Sequence, residues 1–390
     1  MYKWLIEISN IVELLVIFLS IYTSVFFLLL YLDGIKKHNH KIKRYPTVSI
    51  VIPMYNEENK IGQCIKHVQA LDYPKSHIEI IVVDDGSTDK SAQIVKSLAK
   101  QDSRIKYIFK KNSGKADSLN KGIEIAQNEL IATLDADTYV EKDSLKHMVA
   151  HIESGADAVV PVTKVYNKDK NFITNIQSIE YLVTSFLRKV LETIDSIYVT
   201  PGTFSLFKRD LLVKVGGFDP TNILEDQEIA IRFQSYNYTI ETCLDAVVYT
   251  EVPETFGSLV KQRERWHRGG LRNSLKYLNL INPKYGDFGI FIMPMSIITI
   301  ILLFALLGDV IFMRFIVNPP MFIIDSKLIL TLILFSITFI WTWINLNQYK
   351  NEKISYVKTA IYILLYSYFI TFIWLISIPK ELLGVRLIWK

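Results

Sequence analysis

"IEIIVVDDGSTD", residues 78–89, decides the fold. Apart from Glu79, its first six residues are apolar and β-branched. Two aspartates and a Gly-Ser-Thr-Asp cluster then end the run. A stretch this short and this apolar reads as a strand covered on both faces, the kind that parallel sheets use. Asp-Gly-Ser-Thr reads as a turn and a helix start, with Ser87 or Thr88 as the expected cap. The pattern repeats outward in "TVSIVIP" (47–53), "RIKYIF" (104–109) and "ELIATLDAD" (129–137). Helical patterns at 59–71, 88–100 and 115–127 separate these runs. Such alternation predicts an α/β domain with a mostly parallel sheet and helices on both faces. Ligands bind beyond the carboxyl ends of such strands, at the topological switch point, so the residues just after each strand carry the chemistry.

Composition limits the rest. Of 390 residues half are hydrophobic and 21% are charged, too apolar for a soluble protein and too charged for one buried in lipid. A mixed protein is expected. The net charge of +5 is clustered rather than spread, and no nucleic-acid partner is expected. Cys64 and Cys243 have no metal-ligand spacing and read as reduced packing residues.

Four stretches, Leu14–Leu32, Phe288–Leu307, Leu328–Leu346 and Thr359–Ile378, are apolar enough for membrane spans. The first would reach about 28 Å as a helix, and Leu-Tyr-Leu-Asp after it is no signal-peptide cleavage site. "GIKKHNHKIKR" (34–44) carries five basic residues and no acid, whereas Glu7 and Glu13 precede the first run. Positive residues stay inside, so the middle of the chain is expected on the cytoplasmic side of a multi-pass cell-membrane protein, in contact with membrane lipid. Lys350, Lys353 and Lys358 then also fall inside. The tail, with Lys380, Arg386 and Lys390, would fall outside against the same rule, so it lies at the interface or one C-terminal run is not a full span. The expected division is a membrane helix with a basic segment (1–45), a cytosolic catalytic domain (46–285) and about three C-terminal membrane helices (286–390).

The strand ends carry polar clusters. "PMYNEE" (53–58) follows the first strand, and "NSGKADSLNKG" (112–122) opens a helix with Gly114 and Lys115, a plausible phosphate seat. The fourth strand ends in "LDAD". Asp135 and Asp137 are two apart, so in extended chain they share a face, where a hard divalent cation would relieve their repulsion.

Together "VVDDGSTD", "GKADSLNKG", "LDAD", "LEDQE" and "QRERW" (262–266), in this order, resemble family 2 glycosyltransferases. They are most similar to the membrane-embedded processive branch of hyaluronan, chitin, cellulose and poly-N-acetylglucosamine synthases. The resemblance covers residues 46–275 and implies a GT-A-like fold, a nucleotide-sugar donor (a UDP-sugar first) and Mg²⁺ or Mn²⁺. It implies that Pro53, Tyr55, Glu57 and Asp85 form the nucleoside pocket, with Lys115 near the diphosphate. Asp135 would face the nucleotide, Asp137 would hold the metal, and Asp226 would be the catalytic base. Gly202 and Thr203, in "TPGTFSLFKR" (200–209), would meet the acceptor. The family's usual Thr-Glu-Asp reads Leu224-Glu225-Asp226 here, a departure that leaves the base itself intact.

QRERW admits two readings. Gln262, Arg265 and Trp266 share one helical face. With Lys261, Arg263, Arg268, Arg272 and Lys276 they could form a basic membrane-surface helix, charges on lipid headgroups and Trp266 as anchor. The resemblance instead implies that Gln262 and Arg265 bind the diphosphate and that Trp266 stacks on the acceptor sugar. The long stripe Phe172, Ile176, Ile179, Val183, Phe186 and Val190 reads as packing. Three functions are therefore weighed. Inverting transfer to a growing polysaccharide or glycolipid comes first, single transfer to a polyprenyl phosphate or other lipid second. A transporter or receptor with a degenerate fold would show damage at Asp135, Asp137, Asp226 or Arg265, and none is damaged.

Overall fold

The computed structural model describes residues 3–34, 40, 42–312, 326–349, 352 and 355–385. Helix α1 (Lys3–Gly34) precedes β1 (Val48–Met54), α2 (Ile61–Gln69), β2 (Ile78–Asp84), α3 (Ser91–Gln101), β3 (Ile105–Phe109), α4 (Lys115–Ile125) and β4 (Leu130–Leu134). Between β1 and β4 every boundary falls within three residues of the one expected. The second half adds β5 (Thr138–Val140), α5 (Ser144–Glu153), β6 (Ala158–Val165), α6 (Phe172–Glu192), β7 (Phe204–Lys208) and α7 (Arg209–Lys214). It continues with α8 (Glu225–Ser235), β8 (Ile240–Thr250), α9 (Phe256–Lys276), α10 (Met293–Phe312), α11 (Ser326–Asn347) and α12 (Tyr356–Leu382).

All eight strands join one sheet in the order β3-β2-β1-β4-β7-β6-β8-β5. β1, β2, β3 and β4 pair in parallel, β7 enters antiparallel between β4 and β6, and β6 pairs in parallel with β8. The chain leaves β1 toward β2 and returns on its other side at β4. The switch point therefore lies between β1 and β4.

Alternation along β1 explains why both faces are covered. Ile50 and Ile52 pack with Ile61, Cys64 and Ile65 of α2, whereas Val51 joins Leu119 and Ile123 of α4 on the opposite face. Cys64 and Cys243 are buried free thiols, as expected.

The α3 cap is a correction. The helix begins at Ser91 after Lys90, with no side-chain cap. Ser87 and Thr88 instead bind Asn56, whose N–H donates to Ser87 Oγ (3.0 Å) and whose Oδ1 accepts from the Thr88 N–H (2.8 Å). Two strand-end loops are thereby tied together beside the switch point.

The α6 stripe is packing, as expected. Phe186 and Val190 cluster with Leu346 and Tyr349 near the end of α11 and Tyr362 of α12, while Phe172 stays exposed. Helices occupy all four apolar stretches. Among the described residues, Asn10–Leu32 and Tyr356–Leu382 are long and apolar enough to cross a membrane, and Phe288–Leu302 is a shorter apolar helix. Lys36, Lys37, Lys41, Lys350, Lys353, Arg386 and Lys390, on which the orientation partly rests, lie outside the described residues.

Candidate functional site

Four strand-end segments and the start of α8 converge at the switch point. Lys115, the first residue of α4, lies 2.6 Å from Asp135 Oδ1 and 3.0 Å from Glu225 Oε1. Burial opposes its charge, but Asp135, Glu225 and Asp226 hold the ammonium protonated.

Gly202 faces this junction. A Cβ built there would sit 2.4 Å from Lys115 Nζ and 3.1 Å from Asp135 Oδ2, so any larger residue would have to displace the lysine ammonium from this junction. Its N–H approaches Asp226 Oδ2 at 3.4 Å, and the Thr203 carbonyl accepts from the Asp135 N–H at 3.4 Å. The expected acceptor loop thus bridges Asp135 and Asp226.

Asp226 is the second residue of α8, where unpaired backbone N–H groups favour negative charge. The Gln227 N–H donates to its Oδ1 at 2.8 Å. Burial first, then Glu225, raises its pKa to about 6, with Lys115 and Arg265 pulling the other way. Its neighbour Glu225 is buried and paired with Lys115, which leaves Asp226 the better proton acceptor.

Asp135 and Asp137 meet differently from the expectation. β4 ends at Leu134, and the two residues occupy a turn closed by the Thr138 N–H on the Asp135 carbonyl (3.0 Å). The turn, rather than strand alternation, gathers the acids. Burial first, then Asp135, raises Asp137 to about 6; burial first, then Asp137, raises Glu57 to about 7. Lys60 offsets part of this charge, 3.8 Å from Asp137 Oδ2 and 3.2 Å from Glu251 Oε2. Buried carboxylates gathered this closely suit a hard divalent cation with oxygen ligands. Sequence reasoning missed Lys60 and Glu251. Glu251 follows β8 directly, so recognising that strand would have exposed it.

Asp85 is largely occupied. Its oxygens accept from the N–H groups of Ser113 (3.0 Å) and Gly114 (2.9 Å), and Lys110 pairs with it. It fixes the entry to α4. Pro53, next to last in β1, lies beside Val83 of β2, and Tyr55 is partly exposed just past the strand end.

Helix α9 carries QRERW, and here the membrane-surface reading is corrected. Arg263 is fully buried, its guanidinium 2.6 Å from Glu180 Oε2 on α6. Tyr366 of α12 donates to the other Glu180 oxygen at 2.7 Å. Arg268 is 1% exposed and pairs with Glu381 (2.8 Å) and Glu264 (3.3 Å), and Lys380 pairs with Glu264 at 2.7 Å. These cations are spent on protein carboxylates rather than lipid. The other face keeps Gln262, Arg265 and Trp266, with Arg265 within electrostatic range of Asp226. Gln262 accepts from Arg263, whose guanidinium carbon lies over the Trp266 indole, 4.1 Å from its centre. Tyr181 adds a ring at 6.4 Å. Gly269 lets α9 lie against α8, because a Cβ there would be 2.6 Å from Leu224 Cβ.

Residues 49–216 match the family described as "Glycosyl transferase family 2". "Probable glycosyltransferase YdaM" of Bacillus subtilis (strain 168) is 32% identical over 252 residues, 63% of this chain and 60% of that protein. "Poly-beta-1,6-N-acetyl-D-glucosamine synthase" of Staphylococcus epidermidis is 33% identical over 227 residues, 57% of this chain and 54% of that protein. The chain thus spans less than two thirds of these relatives' length. Among solved structures, mannosyltransferase PcManGT from Pyrobaculum calidifontis, in complex with GDP-Man and Mn²⁺, aligns with a TM-score of 0.68 at 19% identity. The alignment covers 97% of this chain and 96% of that one, and it shows a shared GT-A-like fold.

Proposed function

We propose, on the premise that residues 49–216 form a family 2 glycosyltransferase domain, that this chain is an inverting transferase at a membrane surface. It moves a sugar from a nucleoside-diphosphate sugar to a growing polysaccharide or glycolipid. The observation that carries this reading is the separation of two acidic groups by one lysine. Lys115 stands between the Asp135 side of the site and Glu225, the neighbour of Asp226. One side suits a cation-bound diphosphate, the other an acceptor hydroxyl.

In the reaction the acceptor oxygen attacks the anomeric carbon opposite the diphosphate. Its proton passes to the Asp226 carboxylate, and the carbon–oxygen bond to the β-phosphate breaks with its electron pair on the diphosphate. With no second carboxylate acting as nucleophile, the configuration inverts. Asp137, with Asp135 and Glu57 at hand, would hold Mg²⁺ or Mn²⁺, which supplies positive charge to the leaving diphosphate. Gln262, Arg265 and Lys115 add donors to the same charge, while Pro53, Tyr55 and Asp85 bound the nucleoside pocket. Gly202, Thr203 and Trp266 meet the acceptor.

The membrane reading is supported by α1, where Ile11, Leu15, Phe18, Tyr22 and Leu29 are all exposed. Leaving so much apolar surface in water would cost ~25 cal/mol per Å², and lipid removes that cost. The division at residues 46 and 285, the cytoplasmic side for the catalytic part and the multi-pass arrangement belong to the same proposal.

Arg188 favours the second reading, single transfer to a polyprenyl phosphate. Its NH2 donates to Ser185 Oγ at 3.0 Å, its buried Nε has no partner, and no carboxylate among the described residues pairs with it. Burial lowers its pKa to about 10 although Asp226 lies within electrostatic range. A guanidinium placed so would welcome an anionic acceptor. The test is product analysis after membranes holding the protein are incubated with a panel of labelled nucleotide sugars. Polymer supports the first reading, a single labelled lipid the second, and free sugar alone neither.

A further inference from the structure

Far from the switch point, three of the chain's seven histidines line one cavity. His147 and His151 stand one turn apart on α5, and His40 comes from the connection after α1. The cavity, about 220 Å³, is also lined by Lys146, Cys243 and Asp245. Glu241, the second residue of β8, completes the cluster. Its Oε2 lies 2.6 Å from His151 Nδ1 and 3.7 Å from His40 Nε2, and the two imidazole rings are 4.1 Å apart.

We propose that His40, His151 and Glu241 bind a transition-metal cation, Zn²⁺ by preference, at a site separate from the catalytic one. The three ligand atoms lie within 4.8 Å of one another. Arms of about 2.0–2.2 Å to one ion separate its ligands by roughly 3.3–3.6 Å, so small side-chain adjustments close the shell. Two imidazoles and a carboxylate form a donor set of a kind zinc accepts, and a fourth position opens to the cavity for water or His147. One cation can therefore bind all three groups at once. Lys146 does not oppose it, since its ammonium is held by Asp72 at 3.0 Å.

The two sites stand at opposite ends of β8. Glu241 stands second in the strand, while Glu251 follows its last residue and reaches Lys60 beside Asp137. The bulge in β8 shortens the span: Glu241 and Thr250 stand opposite Val159 and Val165 of β6, six residues of strand or roughly 20 Å apart. A cation at the histidines would therefore pin the connection after α1 to α5 and β8 without touching the reaction.

The test uses the full chain in detergent micelles, stripped by chelator and dialysed. Co²⁺ is titrated in the presence of excess Mg²⁺, which occupies the catalytic carboxylates. One equivalent should bind with the visible absorption of a four- or five-coordinate nitrogen and oxygen site, and Zn²⁺ should displace it. His151→Ala and His40→Gln should each weaken binding at least about tenfold, the lower end of what even a supporting partner is worth to a metal site. Asp137→Asn should leave it unchanged. His40 lies outside every helix and strand, so its variant reports even where the α5 variant unfolds. No Co²⁺ absorption in the wild type, equal binding by His40→Gln, or loss of binding in Asp137→Asn would each overturn the proposal.

Discussion

On the proposed reaction, replacing Asp226 with asparagine removes the proton acceptor while disturbing little else. The carboxamide oxygen can keep the Gln227 N–H bond, and only the longer contact from Gly202, at 3.4 Å, is lost. A hydrogen bond to a charged group is worth at most about 1.5–3 kcal/mol and this one is long, so the fold survives. No neighbour can take over the base, because Glu225 is held by Lys115 at 3.0 Å. Loss of a general base costs ~10²- to 10⁴-fold, and the upper half of that range is expected here. The wild type should also show an acid limb. The base must be ionised, and with a pKa of about 6 its active fraction falls as pH drops through that value. About nine-tenths is ionised at pH 7 and just under a tenth at pH 5, a roughly tenfold fall in kcat. The assay is initial-rate transfer of radiolabelled donor sugar from pH 5 to 8, with nucleotide affinity measured separately by titration. Asp226→Asn should lose both the rate and the limb while holding nucleotide near wild-type affinity. A variant that keeps most of its activity, or keeps the same limb, would refute the assignment.

Chelation should abolish transfer and Mn²⁺ or Mg²⁺ should restore it, with Asp137→Asn needing far more metal; full activity in excess chelator would sink the metal role. Gly202→Ala should cut kcat at least about tenfold, because its methyl must push Lys115 off Asp135 and Glu225; unchanged kinetics would mean that the loop moves freely. Trp266→Ala should shorten or abolish polymer on a sizing gel, an aromatic contact being worth about 0.5–1.5 kcal/mol, while nucleotide affinity holds. Polymer of native length from this variant would remove the indole from the acceptor path. Glu180→Leu should lower thermal stability in detergent by about 3–5 kcal/mol, since it strands the buried Arg263 charge, and Arg263→Met in the same chain should recover most of that loss.

The first half of the sheet was legible because β1, β2 and β4 are apolar on both faces and carry their turn signals at their ends. The second half was not. β6 contains Pro161 and a bulge beside it, and β8 alternates buried with half-exposed residues through Glu241 and Asp245, so neither reads as a covered strand. β7 pairs antiparallel with β4 across a separation of about 70 residues, which no local pattern reports. The polar groups at the site were visible as motifs, yet their partners were not. Lys60 meets Asp137 only because α2 packs under β5, and Arg263 meets Glu180 only because α6 and α9 both pack against α12. In QRERW a charge pattern that suggests lipid contact turned out to be internal pairing, since burial cannot be read from charge alone.

The paired arginines of α9 bear on where the catalytic unit ends. The helix that presents Gln262, Arg265 and Trp266 is held on one side by Glu180 of α6 and on the other by Glu381 of α12. Remove the C-terminal helices to obtain a water-soluble fragment, and Arg268 loses both Glu381 and the Val385 carbonyl that accepts from it. Glu264 loses Lys380 in the same cut. Each orphaned charge then seeks water, and a one-turn shift of α9 by about 5.4 Å would suffice to carry Arg265 away from Asp226. On the proposed function the apolar helices are in this sense part of the reaction chamber's wall, and assays done without them would measure a different protein.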